Sequence, residues 1–363
     1  LSRAELDARL LRAVEAGDLV EAALALDLGA DPDAAGPTGW TALMDAVLRG
    51  DRAMVQLLLD RGADAGRRVT LPPAGADAVA RIEADLGQPL SAAAREALAQ
   101  APAMSAAAEC GDAEIARLLA ARGAPPEDFD QEMLGAVTGA DRIAPVAVTR
   151  EVFEAGRAAR FGRANPEPAL EPFWQAQIRS FASGYAGGRQ PFLTGEAVHE
   201  PPPVWSFDRF GRTVTRLPDG RWLLVAGEHE DHYDPDFCIY NDVTVLDGEG
   251  GVEHFLYPAE AFPPTDFHSA TLLGDEILLV GSLGYREGRR EGETQVMRLS
   301  LRDFSIMRVA TSGDNPGWIH RHRAALDAGR IVVSGGKVEP GYRDLEGCWA
   351  LELETWRWER LED

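Results

Sequence analysis

The densest chemistry in this sequence lies in nine residues, Glu228-His229-Glu230-Asp231-His232-Tyr233-Asp234-Pro235-Asp236, which carry two imidazoles and five carboxylates. Imidazole and carboxylate together suit zinc, manganese or iron, and either group can act as acid or base near neutral pH. His229, His232 and Asp234 are the candidate metal ligands. A second, basic run, His320-Arg321-His322-Arg323, is accompanied by Arg286, Arg289, Arg290 and Lys337. All seven histidines stand at or after His199, His268 among them. Three uses of these residues are open: a salt-bridge network that satisfies itself, a site for a protein or small ligand, or a metal-dependent catalytic site. HExxH, GxSxG and the phosphate-cradling GxxxxGK are absent, so no catalytic spacing supports the enzyme reading. No cofactor is required; a divalent metal is the alternative.

The elements that must hold these residues repeat every 54 positions. Gly227, Gly281 and Gly335 each close an apolar run, at Leu223-Leu224-Val225, Ile277-Leu278-Leu279-Val280 and Ile331-Val332-Val333. Val243 and Val245 correspond to Met297 and Leu299, then to Leu351 and Leu353. With a shorter strand before each glycine run and another near Val252, Phe304 and Trp356, each period predicts four antiparallel strands. The period, Ser334-Gly335-Gly336 and the late Trp356 or Trp358 resemble kelch repeats, which implies propeller blades. Three blades fall short of a closed ring. The connector supplies another blade, two chains complete a ring as a homodimer, or the sheets stack openly. In such blades the short turns fall at one end, and the long links converge on the other. That places Glu228, His229, His232, His268, Arg286, His320, Arg321, His322, Arg323 and Lys337 on one loop face.

The first part of the chain keeps a different period. Gly17-Asp18 recurs as Gly50-Asp51 and Gly29-Ala30-Asp31 as Gly62-Ala63-Asp64, 33 residues later in both cases. A third copy, Gly111-Asp112 with Gly123-Ala124, arrives about 28 residues late, so an insert separates copies two and three. Each copy reads as two short helices, with the glycine as a left-handed C-cap. Gly39-Trp40-Thr41-Ala42-Leu43-Met44-Asp45-Ala46 resembles the Thr-Pro-Leu-His stretch of ankyrin repeats, with Ala42 for the proline and Asp45 for the histidine. The insert carries a predicted helix around Ser91 to Gln100. Trp40, Arg67 and Arg68 are the candidate partner contacts on this side, with a core role for Trp40 equally open.

Between the modules, Phe173-Trp174-Gln175-Ala176-Gln177-Ile178-Arg179-Ser180-Phe181 has the spacing of one amphipathic helix, and Tyr185 adds another aromatic. The expected fold class is α + β multidomain. An ankyrin-like α-helical repeat stack covers 1–126, with an insert near 66–100, and a structured helical connector covers 127–200. An antiparallel all-β kelch-like, propeller-type domain of about three blades covers 201–363.

The formal charge is −23, and residues 201–363 hold 17 basic against 29 acidic side chains, so the excess is spread along the chain. Such a field repels phosphate backbones and anionic lipid and favours a basic protein partner. Three distant cysteines and no apolar run of membrane length point to the cytoplasm. Lys337 is the single lysine among 36 basic residues, a usage that points to a GC-rich bacterial genome. The functional expectation is a protein-interaction module, one that binds and neutralises a basic protein as some bacterial toxin-immunity proteins do. A metal-dependent enzyme or ligand-binding protein using the histidine-rich face is the alternative.

Overall fold

The computed structural model describes residues 1–37, 39–70, 100–103, 111–126, 131–183, 186, 192–193, 203–229 and 237–362. The chain forms two compact units, Leu1–Val137 and Thr138–Asp363. The stretch expected as one connector is therefore divided, its first residues belonging to the helical unit and the rest to the strand unit.

The helical unit begins with α1 (Arg3–Ala16) and α2 (Leu19–Asp27), followed by α3 (Ala42–Leu48) and α4 (Arg52–Asp60). The repeated Gly-Asp pair has a double role. Gly17 closes α1 in the left-handed region at φ 68, and Asp18 then accepts the Glu21 amide as N-cap of α2. Asp51 caps α4 in the same way, and Asp112 caps α5 (Ala113–Ala121). Ala22, Ala25, Val55, Leu58, Ile115 and Leu119 are buried, so each second helix packs one apolar stripe. Arginines near the ends of the second helices reach the neighbouring copy: Arg61 to Asp27 at 2.6 Å, Arg52 to Asp112 at 2.7 Å, and Arg122 to Asp60. A final helix, α6 (Gln131–Val137), ends the unit.

The insert leaves and rejoins this stack through a two-stranded antiparallel ribbon, β1 (Arg68–Thr70) with β2 (Gln100–Pro102), in which Thr70 faces Gln100. Gln100, expected at the end of a helix, is thus in a strand because it pairs with Thr70. The remainder of that expected helix, 91–99, lies outside the described residues.

The strand unit opens with α7 (Arg150–Gly156), the short β3 (Glu167–Pro168) and α8 (Pro172–Ser180). Pro172 sits at the first turn of α8, where its missing N–H costs nothing. Three sheets follow, each built on four antiparallel strands, with a short fifth strand added at one edge of the first and of the third. The first holds β4 (Thr213–Arg216), β5 (Trp222–Val225), β8 (Val243–Leu246) and β9 (Val252–Leu256). The second holds β10 (Ser269–Leu273), β11 (Glu276–Val280), β12 (Val296–Ser300) and β13 (Ile306–Arg308). The third holds β16 (Arg323–Asp327), β17 (Arg330–Ser334), β20 (Cys348–Glu352) and β21 (Arg357–Leu361).

Two cores separate the three sheets. Leu223, Val225, Val243 and Val245 meet Ile277, Leu279, Met297 and Leu299. The other face of the second sheet, Leu278, Val280 and Val296, meets Ile331, Val333, Leu351 and Trp358. β11 feeds both cores, which is why Ile277 to Val280 is apolar without alternation. The outer face of the first sheet is covered by aromatic residues of the preceding segment. Trp174 stacks on Trp205 at 5.0 Å between ring centroids, and both rings stand edge-on to His254. The outer face of the third sheet is small and charged: Ala325, Val332, Ala350 and Glu359 form one cross-strand row, and Asp327, Arg330, Glu352 and Arg357 the next.

Sheet edges are also closed. β3 pairs with β9, and Asn165 makes two hydrogen bonds with the backbone of Ile306 on β13. A short strand, β14 (Ser312–Gly313), runs parallel to β21.

Candidate functional site

The long links at one end of the sheets are themselves built of strands. β6 (Glu228–His229) pairs with β7 (Cys238–Ile239), and β15 (Trp318–His320) pairs with β18 (Lys337–Glu339), which continues to β19 (Arg343–Asp344). A repeated backbone device brings the sheets together there. Gly211, Phe267 and Arg321 all adopt positive φ, at 63, 48 and 57 degrees. The Phe267 amide donates to the Gly211 carbonyl at 2.7 Å, and the Arg321 amide to the Phe267 carbonyl at 2.8 Å. The residues that follow, Arg212, His268 and His322, turn inward. This crowding requires glycine across the junction: a Cβ on Gly281 would lie 2.4 Å from the Ile319 oxygen, and one on Gly336 would lie 2.5 Å from the His320 oxygen. In the third sheet the crowded glycine is therefore Gly336, one residue beyond the strict 54-residue spacing.

Four of the five histidines expected on the loop face, His229, His268, His320 and His322, are buried. His268 Nε2 lies 2.9 Å from Thr213 Oγ1, and His322 Nε2 lies 2.9 Å from Ser269 Oγ. His229 Nδ1 lies 3.0 Å from the Asp208 carbonyl oxygen, and Glu228 beside it is buried as well. His320 is fully enclosed, its Nε2 3.7 Å from Glu339 Oε1, and neither ring nitrogen has a hydrogen-bond partner among the described residues. Arg286, Arg321 and Arg323 are exposed, whereas Lys337 pairs with Asp344 at 2.7 Å and lies over the Tyr342 ring. Glu230, Asp231, His232, Asp234 and Asp236 lie outside the described residues. Of the candidate ligand set His229, His232 and Asp234 only His229 is among the described residues, and among these no group of three or more His, Cys, Asp or Glu is placed to share a metal ion.

Burial decides the protonation of these rings. It pushes His268 down to about 3, with His322 adding to the effect, and pushes His322 itself down to about 4, with His320 adding. His320 falls to about 4 through burial and then Arg321, against partial opposition from Glu339. All three are neutral at physiological pH and cannot serve as cationic contacts. Asp266, wholly buried, accepts the Gly284 amide at 2.6 Å through Oδ1, and burial raises its carboxyl above the ordinary value.

A second polar cluster escaped the sequence reading. Arg209 and Asp242 form a bidentate pair inside the first sheet, at 2.5 and 2.9 Å, and Arg209 also donates to the Ser206 and Ala226 carbonyls. The guanidinium lies over the Tyr240 ring, whose hydroxyl accepts the Ser206 amide at 3.0 Å. His254 completes the cluster, with Nδ1 2.8 Å from Thr244 Oγ1 and Nε2 3.6 Å from Asp242. Burial takes His254 down to about 4 despite Asp242. For Asp242, burial acts upward but is outweighed by Arg209 and His254, so its carboxyl lies below the ordinary value. The available signal was Asp242 itself, an acid in register with Val296 and Ala350. Beside this cluster is a cavity of ≈ 170 Å³ lined in part by Arg160, Cys238, Tyr240 and Tyr285. Cys238 begins the short strand β7, and burial pushes its thiol up to about 11, which leaves it unreactive at neutral pH.

On the helical side, Trp40 is half-buried in a tight turn where the Gly36 amide donates to its carbonyl at 2.8 Å. Arg67 pairs with Asp33 at 3.6 Å, and Arg68 opens the ribbon strand β1. Thus Trp40 sits in the turn before α3, and both arginines sit at the base of the insert.

Comparison with known proteins bears on this unit. Residues 38–68 match the ankyrin repeat family. A curated relative, the 2-5A-dependent ribonuclease of Mus musculus, is 46% identical over 63 residues. That match spans 17% of this chain and 9% of the mouse protein. The chain therefore carries an ankyrin repeat in a helical N-terminal region, followed by a region rich in antiparallel strands. No helix among the described residues is long and apolar enough to cross a membrane.

Proposed function

We propose that this protein is an interaction module that binds and neutralises a basic protein partner. The ankyrin repeat at 38–68 carries the reading, because ankyrin repeats present surfaces to protein partners. The charge of −23 supports a basic partner, which long-range attraction would steer to this surface. The 54-residue period and three face-to-face four-stranded sheets support a kelch-like, propeller-type reading of the strand unit. Its first sheet is covered by aromatic residues and its third ends in a charged row, which favours an open stack over a ring completed by a second chain. Burial of His268, His320 and His322 favours a structural role for the histidines over catalysis.

Affinity capture from the source organism, followed by reconstitution with the purified candidate and a salt titration, tests the reading. The expected result is a basic protein whose affinity falls steeply as salt rises. A neutral or acidic partner with salt-independent affinity would remove it.

A further inference from the structure

Two phenol protons in the strand unit lack an oxygen or nitrogen acceptor among the described residues. Tyr240 Oη accepts the Ser206 amide at 3.0 Å, and Tyr285 Oη accepts the Ile239 amide at 2.8 Å. A backbone N–H only donates, so each hydroxyl must send its own proton elsewhere. Both hydroxyls act on the Cys238 sulfur, a weak acceptor, and so share one neighbour. Burial raises both phenols, Tyr285 to about 12, which keeps both protons in place at neutral pH. The two rings are held: Arg209 lies 3.4 Å over the face of Tyr240, and Phe237 meets Tyr285 edge-on at 5.7 Å between centroids.

Both tyrosines and Cys238 line the same cavity of ≈ 170 Å³, whose other walls include Ala159, Phe161, Pro203 and Ile239. Phe161 is 49% exposed, so the cavity is open to solvent on that side. Its size and walls select the occupant. A cavity of about 150 Å³ holds one benzene molecule, whereas a single water takes about 30 Å³ and needs two to four polar partners. The apolar walls give water few such partners and suit a hydrocarbon body. The two charged wall residues are already paired, Arg160 with Glu167 at 2.9 Å and Asp242 with Arg209 at 2.5 Å. An anion entering here would lose its hydration without meeting an unpaired cation. We infer that the cavity binds a small neutral molecule of about six to eight non-hydrogen atoms, with its apolar part against Phe161, Pro203 and Ile239 and one carbonyl oxygen accepting from both Tyr240 and Tyr285. The site lies within the strand unit and requires no protein partner.

The test uses the full chain with cyclohexanone and toluene, probes of nearly equal size of which only the ketone carries an acceptor. Ligand-observed NMR gives the affinity of each for the natural sequence, for Tyr285→Phe and for Cys238→Leu, and circular dichroism checks that the variants fold. Tyr285→Phe keeps the ring and removes one donor; Cys238→Leu extends a wall residue into the cavity. The natural chain should bind the ketone about tenfold more tightly than toluene. Tyr285→Phe should cut that preference to about threefold or less, and Cys238→Leu should weaken both probes by about tenfold or more. A general loosening of the structure would instead lower both probes together in Tyr285→Phe and leave their ratio unchanged, which would overturn the assignment of the hydroxyls. Equal binding of the two probes by the natural chain, or no binding of the ketone, would do the same. Ketone binding unaltered by Cys238→Leu would place the ligand elsewhere. Should Cys238→Leu fail to fold, the ratio of the two probes in the natural chain and in Tyr285→Phe still decides.

Discussion

His268 and His322 hold equivalent positions in successive sheets, and each places Nε2 2.9 Å from the hydroxyl that opens the first long strand of the sheet before it, Thr213 of β4 for one and Ser269 of β10 for the other. The sheets are thus joined at one end by neutral imidazoles whose other ring nitrogen is buried without a hydrogen-bond partner among the described residues.

Acid should therefore loosen the strand unit. Folded His268 binds its proton near pH 3, and folded His254 and His322 near pH 4, against an ordinary 6.5. As pH falls below about 6.5 the unfolded chain takes up protons that the folded chain refuses, so stability present above that value is lost on the way to about pH 4. The buried His254 and His268 would each contribute roughly 3 kcal/mol to this loss by about pH 4. Urea unfolding measured across that range should show the decline. His268→Gln with His322→Gln should flatten it, and an unchanged slope would mean that these rings are not responsible.

Arg209 and Asp242 should depend on each other. Arg209→Met strands a buried carboxylate and is expected to cost about 3–5 kcal/mol. Adding Asp242→Leu should recover most of the loss, because the pair then leaves together. Tryptophan fluorescence, dominated locally by Trp174 and Trp205, reports the unfolding; a double variant as unstable as the single one would contradict the argument.

The junction glycines make a graded series. Gly220 has φ 90 and nothing within 4 Å of an added Cβ, so Gly220→Ala should cost about 1 kcal/mol from backbone conformation alone. Gly281→Ala adds a collision with the Ile319 oxygen and should cost about 2–4 kcal/mol. Thermal unfolding of the two variants separates them.

Asn165 seals the outer edge of the second sheet. Its Nδ2 donates to the Ile306 oxygen at 2.7 Å, and its Oδ1 accepts the Ile306 amide at 2.9 Å. Asn165→Ala should cost about 1–3 kcal/mol and speed hydrogen exchange at the Ile306 amide, with little change at the Leu278 amide in the central strand β11.

Much of the architecture could be read from periodicity because repeats multiply weak signals. Gly17-Asp18 and its copies mark helix ends, and Ile277 to Val280 marks a strand buried on both faces. The direction of the histidines could not be read. It is set by the left-handed turns at Phe267 and Arg321, and neither residue type announces positive φ. The ribbon of Arg68–Thr70 with Gln100–Pro102 was equally hidden, since three residues a side carry no periodicity. Asp242 was visible as an acid in an apolar register, but its partner Arg209 lies 33 positions away on a different segment.

Because Thr70 faces Gln100 across an antiparallel pair, the insert returns to the place it left. The ribbon thus clamps the two ends of the insert side by side, so the length of chain between them can change while the flanking residues Arg67 and Ala103 keep their places.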